Sequence, residues 1–152
     1  MARGLETAMC ADIVVAADSA RIGDAHANYG VYPGAGGAAV LPRIIPLNVA
    51  KFLLFTGSTL SAEEMKIYGF VNQVVDLNSL RAETQRIAEL IAEQSPIALQ
   101  RMKTVANETG SKALRDALEH EQVLFRRHMR SYDAMEGLNA FSEKRRPQFK
   151  GY

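Results

Sequence analysis

Residues 13–37 read IVVAADSARIGDAHANYGVYPGAGG, and the fold turns on them. Residues 13–17 are apolar and rich in β-branched side chains, which predicts a strand covered on both faces. Residues 20–23 predict a second short extended piece. Residues 30–37, GVYPGAGG, form a loop by their punctuation. Upstream, residues 4–11 (GLETAMCA) suit a short helix of small and apolar residues. Downstream, residues 38–45 read as a helix interrupted at Pro42, and residues 48–55 as an apolar helix stopped by Thr56-Gly57. Ser61 and Glu64 make a capping box, and that helix ends at Gly69. Residues 71–75 predict a strand. Residues 79–94 predict a helix with Leu80, Thr84, Ile87 and Ile91 on one stripe. Pro96 suits the first turn of the next helix. Leu114, Leu118, Phe125 and Met129 line another, Asp133 opens a last one, and a basic tail follows. The class is α/β.

The charges divide the chain. Residues 1–60 carry only Arg3, Glu6, Asp12, Asp18, Arg21, Asp24, Arg43 and Lys51, together with most of the glycines. The rest alternates charge and apolar residues at helical spacing. Two regions are therefore expected, 1–75 with the strands and loops and 76–152 helical. Across 152 residues, 18 Lys and Arg face 17 Asp and Glu. That balance offers no field for a nucleic-acid backbone, whose binding rests on many phosphate contacts. The apolar runs are far short of the ~20 residues that span a bilayer, so no membrane partner is expected. The first residues, with Glu6 among them, make a poor signal peptide. Cys10 is the one cysteine, which excludes an internal disulfide. The expected compartment is the cytoplasm or an organelle matrix.

Three features carry chemistry. Residues 2–6 (ARGLE) place a carboxylate at the start of a small-residue helix. Helix N-termini offer unpaired N–H groups and a positive dipole end, and Gly4 lets a ligand approach the backbone. Such a corner can hold an oxyanion, with Glu6 in reach; a first-turn glutamate that only complements the dipole reads the same way. Residues 33–37 (PGAGG) open a helix through a glycine-rich turn, which can hold an anion or a water or can simply be a tight turn. No Gly-Lys-Ser/Thr follows, and the dinucleotide spacing G-x-G-x-x-G fails. Asp24 and His26 stand two apart. In an extended segment they point the same way, so Asp24 can flank His26 and bias its tautomer; a hydrogen-bonded loop histidine is the plainer reading. No H-x-x-x-H or C-x-x-C pattern points to a metal, and no G-x-S-x-G nucleophile turn is present.

Taken in order, GLETAMCADIVVAADSARIG, GVYPGAGG, LPR, FTG, SAEE, YGFVNQVV and the tail Ala140-Phe141-Ser142-Glu143-Lys144-Arg145-Arg146-Pro147 resemble the crotonase superfamily, whose members include enoyl-CoA hydratases and isomerases. The resemblance runs along the whole chain but covers only the C-terminal half, or slightly more, of that family. It implies the C-terminal part of a ββα-spiral fold plus a helical trimerisation region. The family's N-terminal strands, its second oxyanion loop and much of its CoA adenine site lie outside the resemblance. Alone, the chain is expected to expose one side of an apolar layer and to need an upstream partner, an oligomer or a rearrangement.

Residue by residue, the family's G-G-G-x-E pattern falls on Ala2-Arg3-Gly4-Leu5-Glu6, with Met1 at the apolar position before it. The resemblance implies that the backbone N–H of Arg3 is an oxyanion donor, that Glu6 is a catalytic carboxylate and that Gly34 positions water. The family's second catalytic glutamate falls on His26, and its usual glycine on Arg3; these are the departures. Phe141, Lys144 and Arg145 fall in the tail that the resemblance places near a neighbouring subunit's CoA phosphates; a solvated C-terminal end is the plainer reading. The implied function is enolate stabilisation in an acyl-CoA thioester, with Glu6 and His26 as acid and base and Asp24 beside them. CoA would enter with the substrate, no cofactor would be held permanently, and the chain would form a homo-oligomer, a trimer or a dimer of trimers. Alternatives are a CoA-thioester hydrolase or C–C lyase, a non-catalytic CoA-binding or assembly protein, and a helical interaction module.

Overall fold

The computed structural model describes residues 2–152, so the position assigned to Met1 lies outside the described residues. The chain forms two compact units. One reaches Gln85 and the other runs from Arg86 to Tyr152, so the division falls inside a helix, later in the chain than residue 75.

The first unit contains α1 (Ala2–Ala8), β1 (Val15–Ala17), β2 (Arg21–Gly23), a 3₁₀ turn (His26–Tyr29), α2 (Gly37–Ile44), α3 (Leu47–Thr56), β3 (Thr59–Ser61), α4 (Ala62–Ile67), β4 (Gln73–Val75) and a 3₁₀ turn at Leu77–Ser79 that leads into α5 (Leu80–Ala92). β1 pairs in parallel with β4, Ala16 opposite Val74. β2 pairs antiparallel with β3, Ile22 opposite Leu60. α4 therefore carries the chain from β3 back to the β1 partner, the crossover that parallel pairing demands. Its start is the expected box: Ser61 Oγ accepts from the Glu64 N–H, and the Glu64 carboxylate accepts from the Ser61 N–H at 2.7 Å. The core gathers Leu5, Ala16, Leu41, Ile45, Ala50, Leu53, Ala62, Met65, Phe70 and Val71. Leu41, Leu53 and Met65 are fully enclosed, each worth roughly 1.5–3 kcal/mol of transfer free energy.

Two expectations need correction here. The strand expected over 13–17 narrows to Val15–Ala17, and Ile13 is exposed. The reason is local: the Val14 N–H donates to Asn72 Oδ1, and its carbonyl accepts from the Asn72 N–H, which ends regular pairing. α2 also runs through Pro42 rather than breaking at it. Proline removes the bond to Ala38, yet Leu41 and Ile45 are buried on either side and hold the turn together.

The second unit holds α6 (Pro96–Glu108), α7 (Leu114–His128) and α8 (Tyr132–Glu143), after the C-terminal part of α5. Ser95 caps α6 and Ser131 caps α8, each accepting a backbone N–H at 3.2 Å. α6 packs on α7. The amphipathic patterns give helices, but much of their apolar side is open. α5 and α6 bury no residue, α7 buries only Ala117, and Leu114, Leu118 and Phe125 are exposed. The basic tail is also not loose. Asp133, 1% exposed, accepts from Ser95 Oγ at 2.6 Å and from the N–H groups of Lys150 and Gly151 at 2.7 and 3.1 Å. Lys150 lies 4.5 Å over the Tyr132 ring. Among the described residues, no helix is long and apolar enough to cross a membrane.

Candidate active site

The site belongs to the first unit and begins with the needs of a helix. α2 starts at Gly37, and its N-cap, Gly36, has no side chain to satisfy the free N–H groups. Gly36 takes φ 105°, a left-handed geometry that favours glycine. Glu6 supplies the missing acceptor from α1. Its Oε1 accepts from the Ala35 N–H at 3.0 Å and from the Gly37 N–H at 3.3 Å. The carboxylate is 6% exposed and sits at the positive end of α2. Oε2 takes no hydrogen bond from the described residues and is not sealed off. One oxygen of Glu6 is thus occupied by structure, and the other takes no hydrogen bond from the described residues.

Asp24 follows the end of β2 and is buried, 1% exposed. His26 does not lie in an extended segment; it opens the 3₁₀ turn. The two still meet, through an Asx turn. Asp24 Oδ1 accepts the His26 backbone N–H at 2.9 Å and lies 2.7 Å from His26 Nδ1. Asn28, in the same turn, donates to the Gly57 carbonyl after α3, which ties the turn down. Gly37 is where the two carboxylates come together. A Cβ on it would lie 2.8 Å from Asp24 Oδ2, 2.9 Å from Pro33 Cβ and 3.4 Å from Glu6 Oε1. The motif PGAGG marks this turn in the sequence, but not that Gly37 is the glycine two acids press against; nor does it mark Ala35 as a donor to Glu6.

The remaining candidates are placed as follows. Arg3 and Gly4 are exposed on the first turn of α1, and the Arg3 carbonyl accepts from Thr7 Oγ1. Gly34 is exposed, with open space where a Cβ would stand. Phe141, Lys144 and Arg145 belong to the second unit. Phe141 is exposed, and Lys144 closes α8 in the left-handed region at φ 54°. The Arg145 guanidinium forks onto Glu136 at 2.6 and 2.9 Å and reaches Glu143. Its charge is matched within its own unit. The hydrogen bonds from Arg145, followed by that of the Gln148 N–H, pull Glu136 down to about 2. Among the described residues, no group of three or more His, Cys, Asp or Glu side chains could hold a metal ion.

The family model for enoyl-CoA hydratase/isomerase matches residues 1–152. Over 146 residues, 96% of the chain, it is 38% identical to a probable enoyl-CoA hydratase of Mycobacterium leprae, covering 57% of that protein. It is 36% identical to a crotonyl-CoA hydratase of Syntrophomonas wolfei over 96% of the chain and 56% of the relative. The fold superposes on an enoyl-CoA hydratase from Bacillus anthracis with a TM-score of 0.95 at 37% identity, covering 99% of this chain and 58% of that one. The chain therefore spans less than two thirds of the length of these relatives.

Proposed function

The chain belongs to the enoyl-CoA hydratase/isomerase family, and from that premise we propose that it acts on an acyl-CoA thioester, stabilising an enolate while Glu6 and His26 move protons. The observation that carries this is the division of labour in Glu6: Oε1 held by two N–H groups, Oε2 left open. A general acid or base needs one accessible atom on a side chain that cannot wander.

In this reading the thioester oxygen lies against the N–H of Arg3, at the start of α1, where the peptide dipoles favour developing negative charge. Gly4 keeps that approach open, since nothing stands within 4 Å of its Cβ position. Gly34 leaves room for water beside the Glu6 turn. His26 replaces a second carboxylate; neutral imidazole accepts a proton, and imidazolium returns it. Asp24 supports His26. CoA arrives with the substrate, and no group need be held permanently. Phe141, Lys144 and Arg145 are proposed, on the family resemblance, to meet the CoA of a neighbouring subunit; Lys144 is the more available cation of the two, because Arg145 is engaged with Glu136. A homo-oligomer, trimer or dimer of trimers, and a cytoplasmic setting complete the proposal on the family resemblance.

The test is loss of the enoyl absorbance of crotonyl-CoA, wild type against Glu6→Gln and His26→Ala. Each substitution is expected to slow turnover about 10²–10⁴-fold. Unchanged rates in both would remove the acid/base assignment. Binding of CoA without turnover by the wild type would favour the second reading, a CoA-binding or assembly protein, which the departures at His26 and Arg3 support.

A further inference from the structure

All of Asp24's hydrogen bonding goes to one neighbour. Oδ1 accepts the backbone N–H of His26 and meets its Nδ1. Oδ2 is buried beside Gly37 and has no hydrogen-bond partner. Burying a carboxylate in this way is costly unless its bonds repay it, and the bonds here are both to His26. A carboxylate oxygen only accepts, so the hydrogen on the 2.7 Å contact belongs to Nδ1. In the neutral ring Nε2 is then the bare nitrogen, a proton acceptor. The His26 side chain is 17% exposed.

We infer that Asp24 is a positioning residue that locks His26 as the Nδ1–H tautomer, so that Nε2 is the base for a water added to an α,β-unsaturated acyl thioester. This rests on the thioester reading above and narrows it to hydration. Glu6 and Asp24, the carboxylate that holds His26, flank the same glycine: a Cβ on Gly37 would lie 3.4 Å from Glu6 Oε1 and 2.8 Å from Asp24 Oδ2. A molecule shared by two acceptors must bring two donors, and water does. In the step, the water oxygen bonds to C3 as one O–H bond breaks and its proton passes to Nε2. The C2=C3 pair moves toward the thioester oxygen as the enolate. That same proton then passes from Nε2 through Glu6 Oε2 to C2, so that both groups move it, and the hydroxyl keeps the water's other hydrogen. Nothing is oxidised or reduced.

The direct test needs no substrate. ¹⁵N correlation spectra of the ¹⁵N-histidine-labelled chain at about pH 8, where ordinary histidine is neutral, should show His26 with Nδ1 protonated and Nε2 bare. An Nε2–H tautomer, or a ring protonated on both nitrogens, overturns the inference even if the protein turns over crotonyl-CoA. Asp24→Ala, checked for folding by circular dichroism, should lose the Nδ1–H signature and lower kcat with KM unchanged. In a His26→Gln background the same change should cost nothing more. Additive losses would show that Asp24 acts structurally and would overturn it. Product analysis closes the question: a 3-hydroxyacyl thioester supports the inference, and a shifted double bond overturns it. Absence of turnover in the wild type would count against the thioester reading, while the tautomer spectrum still decides the role of Asp24.

Discussion

Glu6 holds two jobs at once, and substitutions separate them. Glutamine keeps an oxygen for the Ala35 and Gly37 N–H groups but cannot shuttle a proton as a carboxylate does. Glu6→Gln is therefore expected to leave the denaturant midpoint nearly unchanged while turnover collapses. Glu6→Ala removes the acceptor too and should cost about 0.5–2 kcal/mol, the range for losing a helix cap, as read by urea unfolding. Gly37 is the more sensitive position. A methyl there would stand 2.8 Å from Asp24 Oδ2 and 2.9 Å from Pro33 Cβ, neither on a free-swinging chain. Gly37→Ala should destabilise by roughly 1–3 kcal/mol, as overpacking does. A stability equal to wild type would mean that the turn is looser than it stands here. The sequence names Glu6 and His26 as candidates because chemistry needs those residue types. It does not mark Gly37, because close approach of one acid on α1 and one just after β2 is a property of the packed turn.

Among the elements, α4 shows how far local signals reach. Its capping box, written as Ser61-x-x-Glu64, forms as written, because every atom involved lies within one turn. The Ser61 N–H and then its hydroxyl hold the Glu64 carboxyl below its ordinary value. Ser61→Ala should cost about 1 kcal/mol, measured by thermal unfolding, and should expose α4 amides to faster hydrogen exchange. α7 shows the limit. Leu114, Leu118 and Phe125 follow a helical stripe, and the helix forms, yet the stripe is exposed in this chain. Periodicity states that a face seeks cover; it does not state what provides it. The 3₁₀ turn at His26–Tyr29 was not legible either, since an extended piece and an Asx turn both bring Asp24 against His26.

Over the whole molecule, the lowered carboxylates of the second unit give its tail an acid response. In the second, Arg145 and the Gln148 N–H hold Glu136 at about 2 against an ordinary 4.5. Burial pushes Asp133 up, but Ser95 and the N–H groups of Lys150 and Gly151 outweigh it, and the net shift is downward from 3.8. A carboxylate lowered in the folded state stabilises fully above its unfolded value and loses that contribution as pH falls through the folded one. The tail should therefore release progressively from about pH 4.5 down to 2, seen as lost protection of the Gln148 and Lys150 amides. Glu136→Gln should flatten the Glu136 part of that response. Protection that persists to pH 2 in the wild type would show that the clasp does not depend on ionisation. The sequence by itself determined the class, the ordered motifs, the helix starts and the residue types of the site, because each depends on neighbours a few positions away. Only the tertiary structure decided that Glu6 caps α2, that Gly37 stands between the two acids and that Arg145 is already paired. Those facts join segments nine to thirty-odd positions apart, or two acids across a turn, where geometry is set by packing and by the demand that buried polar groups find partners.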